Sequence, residues 1–291
     1  MRGVAIAAVG MLIAFATIEP LEARAQGKNM QDGNTGLMQL ILAGRKNEAS
    51  MLARSLGPKA GDILLEASSN DKASVRLLAL ELAAANPSPG SCRTILGRLS
   101  DPNATVRSLA GSLIGKCRDH ENAPDLLRAL EEQKEPSIRS ILVGQLGAVG
   151  GLEQVPVLRQ LQKDPEVAKA ASLSLVQLGD ADERKKLIQR LQDPDPGVRT
   201  NALRDCMTVQ DPKLAAWFGP ALEDFRDVLP ITGPHEGPTV YARVCDFAVL
   251  VMAQLGYRFS FPLKSLKRLP PEQIREAGQV VDAMVSERGK L

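Results

Sequence analysis

The 291-residue chain has few of the side chains that usually carry catalysis or strong electrostatic binding. It has two histidines, His120 and His235, and a formal net charge of +2 at pH 7. Two histidines offer little for acid–base or metal chemistry, and a nearly neutral chain exerts no strong field on nucleic acid. No Walker loop, Gly-x-Ser-x-Gly elbow or Cys-x-x-Cys-His haem motif occurs. We therefore expect no catalytic residue, no metal and no cofactor, and a protein that is not an enzyme.

Long apolar runs are also missing, except near the first residue. Residues 1–25 begin with Arg2, continue with an apolar stretch from Val4 to Ile18, and end in Ala23-Arg24-Ala25. This order is typical of a secretory signal peptide. We expect cleavage between Ala25 and Gln26, a secreted or periplasmic mature chain, and no stable membrane insertion after cleavage. An uncleaved anchor is the alternative, although the apolar stretch is shorter than the roughly 20 residues that span a bilayer.

What the chain has in place of these features is an internal repeat. An acidic or proline-containing turn is followed by an aliphatic residue and usually by arginine or lysine, five times, at steps of 29 to 32 residues. The aliphatic residues are Val75, Val106, Ile138, Val167 and Val198. In the fourth copy Ala168 takes the arginine position. Self-similarity at this length predicts a solenoid, in which each unit buries its apolar face against its neighbours.

Each unit has two stretches of helical periodicity separated by a break, which predicts an antiparallel helical hairpin. The predicted hairpins cover residues 47–69, 73–99, 103–132, 136–162, 166–191 and 196–227. The turn acid is placed to cap the first helix of its unit. The arginine after the aliphatic residue can reach the acid of its own or the adjacent turn, which predicts a ladder of ion pairs along one edge.

The motif Asp-Pro-x-x-x-Val-Arg, followed by a small-residue helix and a leucine-rich helix, resembles the short-period HEAT-like repeat, a type also found in phycobilisome-lyase relatives. The resemblance implies an all-α solenoid of stacked antiparallel hairpins, a HEAT-like or armadillo-type superhelix, over residues 45–227. A polar segment with a short helix would precede it at 26–44, and an aromatic-rich capping module would follow at 228–291. Residues 243–248 also resemble the closing helix of exported bacterial HEAT-type proteins of unknown function.

Two sets of side chains are candidates for binding. Arg98, Arg128, Arg159 and Arg190 recur near the ends of the second helices, and their spacing could stack them into a cationic track for an anionic partner. The alternative is an ordinary solvated polar face. In the aromatic-rich module, Trp217, His235, Tyr241 and Phe259 could form a ligand pocket, or the aromatic residues could simply cap the stack.

The four cysteines permit two disulfides in an exported chain. Cys92 and Cys117 would lie at the same end of adjacent units, so they could form a disulfide or stay as buried thiols. For Cys206 and Cys245 the sequence favours unpaired burial.

These features together predict a non-enzymatic scaffold or adaptor in the periplasm or cell envelope, with a protein partner and no nucleic acid. Two alternatives remain open at this point. One is a bilin-lyase-like accessory enzyme subunit, which only the repeat resemblance suggests. The other is small-ligand binding by the aromatic C-terminal module.

Overall fold

The computed structural model describes residues 36–231 and 239–288. The predicted signal peptide with its cleavage site, most of the polar segment before the repeats, and His235 lie outside the described residues. A helix α1 over residues 36–42 comes first. Five hairpins follow, each with a first and a second helix: α2 (Lys46–Leu56) with α3 (Ala60–Ala67), α4 (Ala73–Ala85) with α5 (Pro89–Leu96), α6 (Ala104–Leu113) with α7 (Ala123–Glu132), α8 (Pro136–Val149) with α9 (Val155–Leu161), and α10 (Ala168–Gln177) with α11 (Ala181–Leu191).

The prediction of an all-α stack of hairpins is confirmed. First helices pack on first helices, as in α8 with α10 and α10 with α12 (Pro196–Val209), and second helices on second helices, as in α3 with α5. The turns between units cap fewer first helices than predicted, since α4, α8 and α10 begin without a side-chain cap and α6 is capped by Asn103 and not by Asp101. Asp195 precedes α12, and its side chain accepts a hydrogen bond from the Val198 amide at 2.9 Å, which satisfies an N–H group that the helix itself leaves unpaired.

The sixth unit departs from the predicted hairpin. After α12 comes a 3-10 helix, Pro212–Trp217, and a short helix α13 (Gly219–Leu222), in place of one continuous second helix. Pro212 and Pro220 explain the interruption, because proline has no N–H to donate within a helix. A regular second helix is therefore absent from the sixth unit.

The sequence did not predict a small sheet that follows the sixth unit. Strands β1 (Asp227–Pro230) and β2 (Tyr241–Arg243) pair antiparallel, with Leu229 opposite Ala242. We expected a helix from about Val240, but α14 (Val244–Gln254) begins only after β2. Strand pairing holds the chain extended up to Arg243. There the Asp246 carboxylate accepts a hydrogen bond from the Arg243 amide at 2.8 Å, which caps the start of the helix. Helix α15 (Pro271–Arg288) is the last element.

Buried side chains form two clusters along the stack. The first runs from Leu37 to Leu175 and contains only aliphatic residues and cysteines. The second runs from Val176 to Val281 and includes the aromatic residues Phe218 and Phe247. The C-terminal helices thus share one core with the last repeat units, and the change in side-chain type falls within the repeats. In the part of the chain that the structure describes, no helix combines the length and the apolarity needed to span a bilayer.

Helices α8 and α10 approach each other closely at Gly147. A methyl group added at Gly147 would overlap Cβ and Oγ of Ser174 on α10. The Ser174 hydroxyl, which is fully buried, donates a hydrogen bond to the Val143 carbonyl of α8 at 2.9 Å. The absence of a side chain at Gly147 therefore sets the distance between the two helices.

Candidate functional site

The predicted ion-pair ladder joins successive turns at three places along the stack. The Nε and Nη2 atoms of Arg76 each donate to one carboxylate oxygen of Asp101 at 2.8 Å. Its Nη1 donates to the carbonyls of Asn70 and Asp71, in the turn before α4. The two paired side chains are 8% and 0% exposed. Arg76 therefore fastens two successive turns through a buried, two-pronged ion pair.

The same arrangement recurs further along the edge. Arg139 pairs with Asp164 at 2.8 Å, and Arg199 pairs with Asp224. In all three pairs the acid follows the arginine by 25 residues. Where Ala168 replaces the arginine, the chain lacks this pair, as the sequence predicted. The ladder is thus discontinuous, and its pairs differ in burial.

Electrostatics in the buried turns favours charged carboxylates. Burial by itself would raise the pKa of Asp101, but hydrogen bonds from Arg76 and from the Asn103 amide outweigh burial and lower it. The pKa of Asp224 is lowered further, first by the hydrogen bond from Arg226 and also by Arg199. These acids stay ionised under ordinary conditions.

The proposed cationic track does not present uncompensated charge in its first half. Arg98 lies 3.7 Å from a carboxylate oxygen of Asp101, and Arg128 lies 3.6 Å from one of Asp125. The Arg98 side chain is 24% exposed and that of Arg128 is 68% exposed. Each of these two positive charges therefore has an acidic neighbour three residues away in the chain.

The second half of the track is compensated more strongly. Arg159 on α9 lies 2.5 Å from Asp180 and 3.3 Å from Glu183, which belong to the start of the next second helix. Arg190 lies 2.7 Å from Asp205 on α12. With carboxylates beside all four arginines, the arrangement favours the solvated polar face over the track.

Of the four predicted pocket residues, the structure describes Trp217, Tyr241 and Phe259. Trp217 and Phe259 pack against the second core cluster, whereas Tyr241 projects from β2 with 43% exposure. His235 is outside the described residues. Phe259 stacks on Phe261 with ring centroids 5.3 Å apart. This placement suits a cap on the end of the stack better than a pocket.

Cys92 and Cys117 form a disulfide, with Cα atoms 5.1 Å apart. It joins the start of α5 to the residue after the 3-10 helix Ile114–Lys116, and so links adjacent units. Cys206 and Cys245 are free and buried. Burial raises the pKa of the Cys206 thiol to about 12 and that of the Cys245 thiol to about 11, so both remain protonated and unreactive.

Among residues 36–231 and 239–288, no three His, Cys, Asp or Glu side chains lie close enough together to hold a metal ion.

Our sequence analysis missed two grooves beside α7. The first, of about 440 Å³, lies between α7 and α9, where the helices stand apart. Its walls are aliphatic, from Leu127, Leu130, Val157 and Leu161, and its rim is polar. The second, of about 240 Å³, lies between α5 and α7. The repeat spacing of Leu127 and Val157 was visible in the sequence, but the spacing does not show that the helices separate there.

Comparison with known proteins adds one relative. No protein-family model matches the chain. Deoxyhypusine hydroxylase of Gallus gallus is 32% identical over 93 residues, which are 31% of this chain and 31% of the relative. That protein is a HEAT-repeat enzyme, in agreement with the repeat architecture found here. The chain spans about a third of the length of the curated relative it matches.

This similarity corrects one expectation. From the missing motifs we predicted that the chain is not an enzyme, and that prediction is wrong, because the named relative is an enzyme. The absence of familiar short motifs excludes particular kinds of catalysis only. It does not exclude activity in a chain related to an enzyme.

Proposed function

We propose that this chain is an exported HEAT-like repeat protein that binds a segment of a protein partner along the second-helix face, in the groove between α7 and α9. The observation that carries the proposal is the groove itself, an open aliphatic trough of about 440 Å³ with a polar rim. Apolar surface that stays in contact with water in the free protein gains free energy when a partner covers it.

Three features support binding at this place. Val157 is 38% exposed on α9, and the nearby Leu152 is 76% exposed. The groove has Glu131 on α7 and Gln160 on α9 at its rim, so it offers polar contacts around an apolar floor. Helix α7 packs firmly on α8, so the groove is formed before a partner arrives, and less ordering is needed on binding.

The test is site-specific photo-crosslinking of the mature chain in cell-envelope extract. A crosslinker at Leu127 should capture a defined partner, and one at Met51, which is 65% exposed on α2, should not. The double variant Leu127→Glu/Val157→Glu should lose the partner, whereas Met51→Glu should keep it. Equal capture from both positions, or full binding by the double variant, would refute the groove as the binding site.

Export is part of the same proposal. The signal-like residues 1–25 support it, and so does the Cys92–Cys117 disulfide, because disulfides persist in oxidising compartments. Expression of the whole chain, followed by cell fractionation and N-terminal sequencing, should yield an envelope or secreted protein that begins at Gln26. A cytosolic protein that still begins at Met1 would contradict this.

A second candidate function is enzymatic, and the similarity to deoxyhypusine hydroxylase favours it. In this alternative the chain hydroxylates deoxyhypusine or a related side chain. Mass spectrometry of a deoxyhypusine-containing substrate, incubated with the mature chain, molecular oxygen and a two-electron reductant, should then show the gain of one oxygen atom, with the other oxygen atom released as water. No gain under these conditions would remove this candidate. The bilin-lyase alternative rests on the repeat resemblance alone.

A further inference from the structure

Arg107 differs from the other turn arginines, which are Arg76, Arg139 and Arg199. Each of those three is paired with an aspartate in the next turn. Among the described residues, no carboxylate lies within ion-pair distance of Arg107, and its side chain is exposed. The repeat thus contains one arginine with the same sequence context as the others and no acidic partner.

The guanidinium of Arg107 is nevertheless held in the pose that Arg76 uses. Nη1 of Arg76 donates to the carbonyls six and five residues before it, and Nη1 of Arg107 does the same, to Asp101 at 2.6 Å and Pro102 at 3.1 Å. In Arg76 the opposite edge of the guanidinium, formed by Nε and Nη2, donates hydrogen bonds to both carboxylate oxygens of Asp101. In Arg107 that edge has no partner within residues 36–231 and 239–288.

The reason lies in the turn after α7. Gln133 stands where the turns at Asp101, Asp164 and Asp224 have aspartate. Its Oε1 accepts hydrogen bonds from the amides of Lys134 and Glu135, at 2.9 and 3.0 Å. Gln133 therefore stabilises the turn as the aspartates do in the other turns. An amide has no negative charge and no second oxygen to offer a guanidinium. The turn therefore closes normally but leaves Arg107 unpaired.

A groove of about 350 Å³ adjoins Arg107, between α6 and α8. Ile138 and Ile141 of α8 and Leu99 provide its apolar surface, and Ile141 is 45% exposed. Glu135 also lines the groove, where its carboxylate accepts a hydrogen bond from the Ser137 hydroxyl at 2.6 Å. A cationic, two-pronged donor thus lies beside an aliphatic surface.

We propose that this groove binds a segment of a partner protein that places an aspartate or glutamate carboxylate on Arg107 and an aliphatic side chain on Ile138 and Ile141. Arginine binds carboxylate through two parallel hydrogen bonds, and the Arg76–Asp101 pair shows this mode in the same chain. Because the turn carbonyls already hold the guanidinium, little side-chain entropy is lost on binding. This site is separate from the α7–α9 groove and does not depend on it.

The probe is a capped hexapeptide with the sequence of residues 99–104, Leu-Ser-Asp-Pro-Asn-Ala, the turn that Arg76 binds in this protein. The readout is the NMR signal of the Arg107 Nε–H group in the mature chain with labelled arginine. We expect this signal to shift on titration. A peptide with asparagine in place of aspartate should bind at least about tenfold more weakly, since it lacks the charge.

Two variants test the assignment. Arg107→Gln lacks the monitored group, so its binding is measured by isothermal titration calorimetry; it should lose binding, whereas the control Arg204→Gln, at another exposed arginine on a first helix, should not change it. Gln133→Asp should also abolish binding while Arg107 remains, because the next turn then supplies the missing acid. Equal binding of both peptides, or binding that survives Gln133→Asp, would overturn the proposal. So would an Arg107-dependent dimer, which would assign the site to a second copy of this chain.

Discussion

The close contact between α8 and α10 leads to a prediction with a built-in control. In Gly147→Ala the new methyl group would overlap Oγ of Ser174 and also its Cβ, and the Cβ atom cannot move without the helix backbone. The helices must separate, and the hydrogen bond from Ser174 to the Val143 carbonyl, now 2.9 Å, must lengthen. Gly144 lies on the same helix, and a methyl group there meets nothing within 4 Å.

The expected magnitude combines three contributions. Overpacking costs about 1–3 kcal/mol, and a weakened buried hydrogen bond adds about 1 kcal/mol. The higher helix propensity of alanine offsets about 1 kcal/mol. Gly147→Ala should therefore lower the free energy of unfolding by about 1–3 kcal/mol. Gly144→Ala has only the propensity contribution and should raise the free energy of unfolding by up to about 1 kcal/mol.

Thermal unfolding followed by far-UV circular dichroism measures both variants, at about 2–4 °C of Tm per kcal/mol for a chain of this size. Ser174→Gly in the Gly147→Ala background removes the overlapping atoms, so the double variant should be more stable than the sum of the two single changes implies. If Gly147→Ala is as stable as Gly144→Ala, the inferred spacing of α8 and α10 is wrong.

Three further predictions concern the turns and the disulfide. Asp101→Asn should lower the free energy of unfolding by about 3–5 kcal/mol, because it leaves Arg76 charged and buried. Asp164→Asn should lower it clearly less, since the Arg139–Asp164 pair is partly exposed. Urea unfolding of both variants measures the difference. The lowered pKa of Asp101 contributes stability that is complete above about pH 4 and is lost as the pH falls toward the folded-state pKa of this carboxyl group. Acid titration should therefore show loss of this stability only in that range. Loss of stability near neutral pH would contradict the prediction. Reduction of the Cys92–Cys117 disulfide should cost about 2–4 kcal/mol, and the denatured chain should show two reactive thiols before reduction and four after; four before reduction would exclude the bridge.

Local signals explain why the repeats could be predicted. Val75, Val106 and their equivalents recur at a nearly constant step, and turn acids such as Asp101 and Asp164 accept backbone amides two residues further on, so both signals are local in the chain. The same local rules missed β1 and β2, because each strand depends on a partner 11 to 16 residues away and has no strong alternating pattern of its own.

The candidate binding residues were harder to predict. Arg98, Arg128, Arg159 and Arg190 are regularly spaced, but spacing does not show which carboxylates lie beside them. The grooves beside α7 and α8 depend on how far apart neighbouring helices lie, which tertiary packing sets. No sequence motif indicates how far apart these helices lie.

The sequence alone determined the helical repeat, its period and the turn chemistry, because these follow from interactions between residues close together in the chain. Only the tertiary structure decided which charges are compensated and where the stack opens. Arg76 and Arg107 share a motif, yet one is buried in an ion pair and the other is exposed. The difference comes from a residue about 25 positions away that folding alone brings alongside.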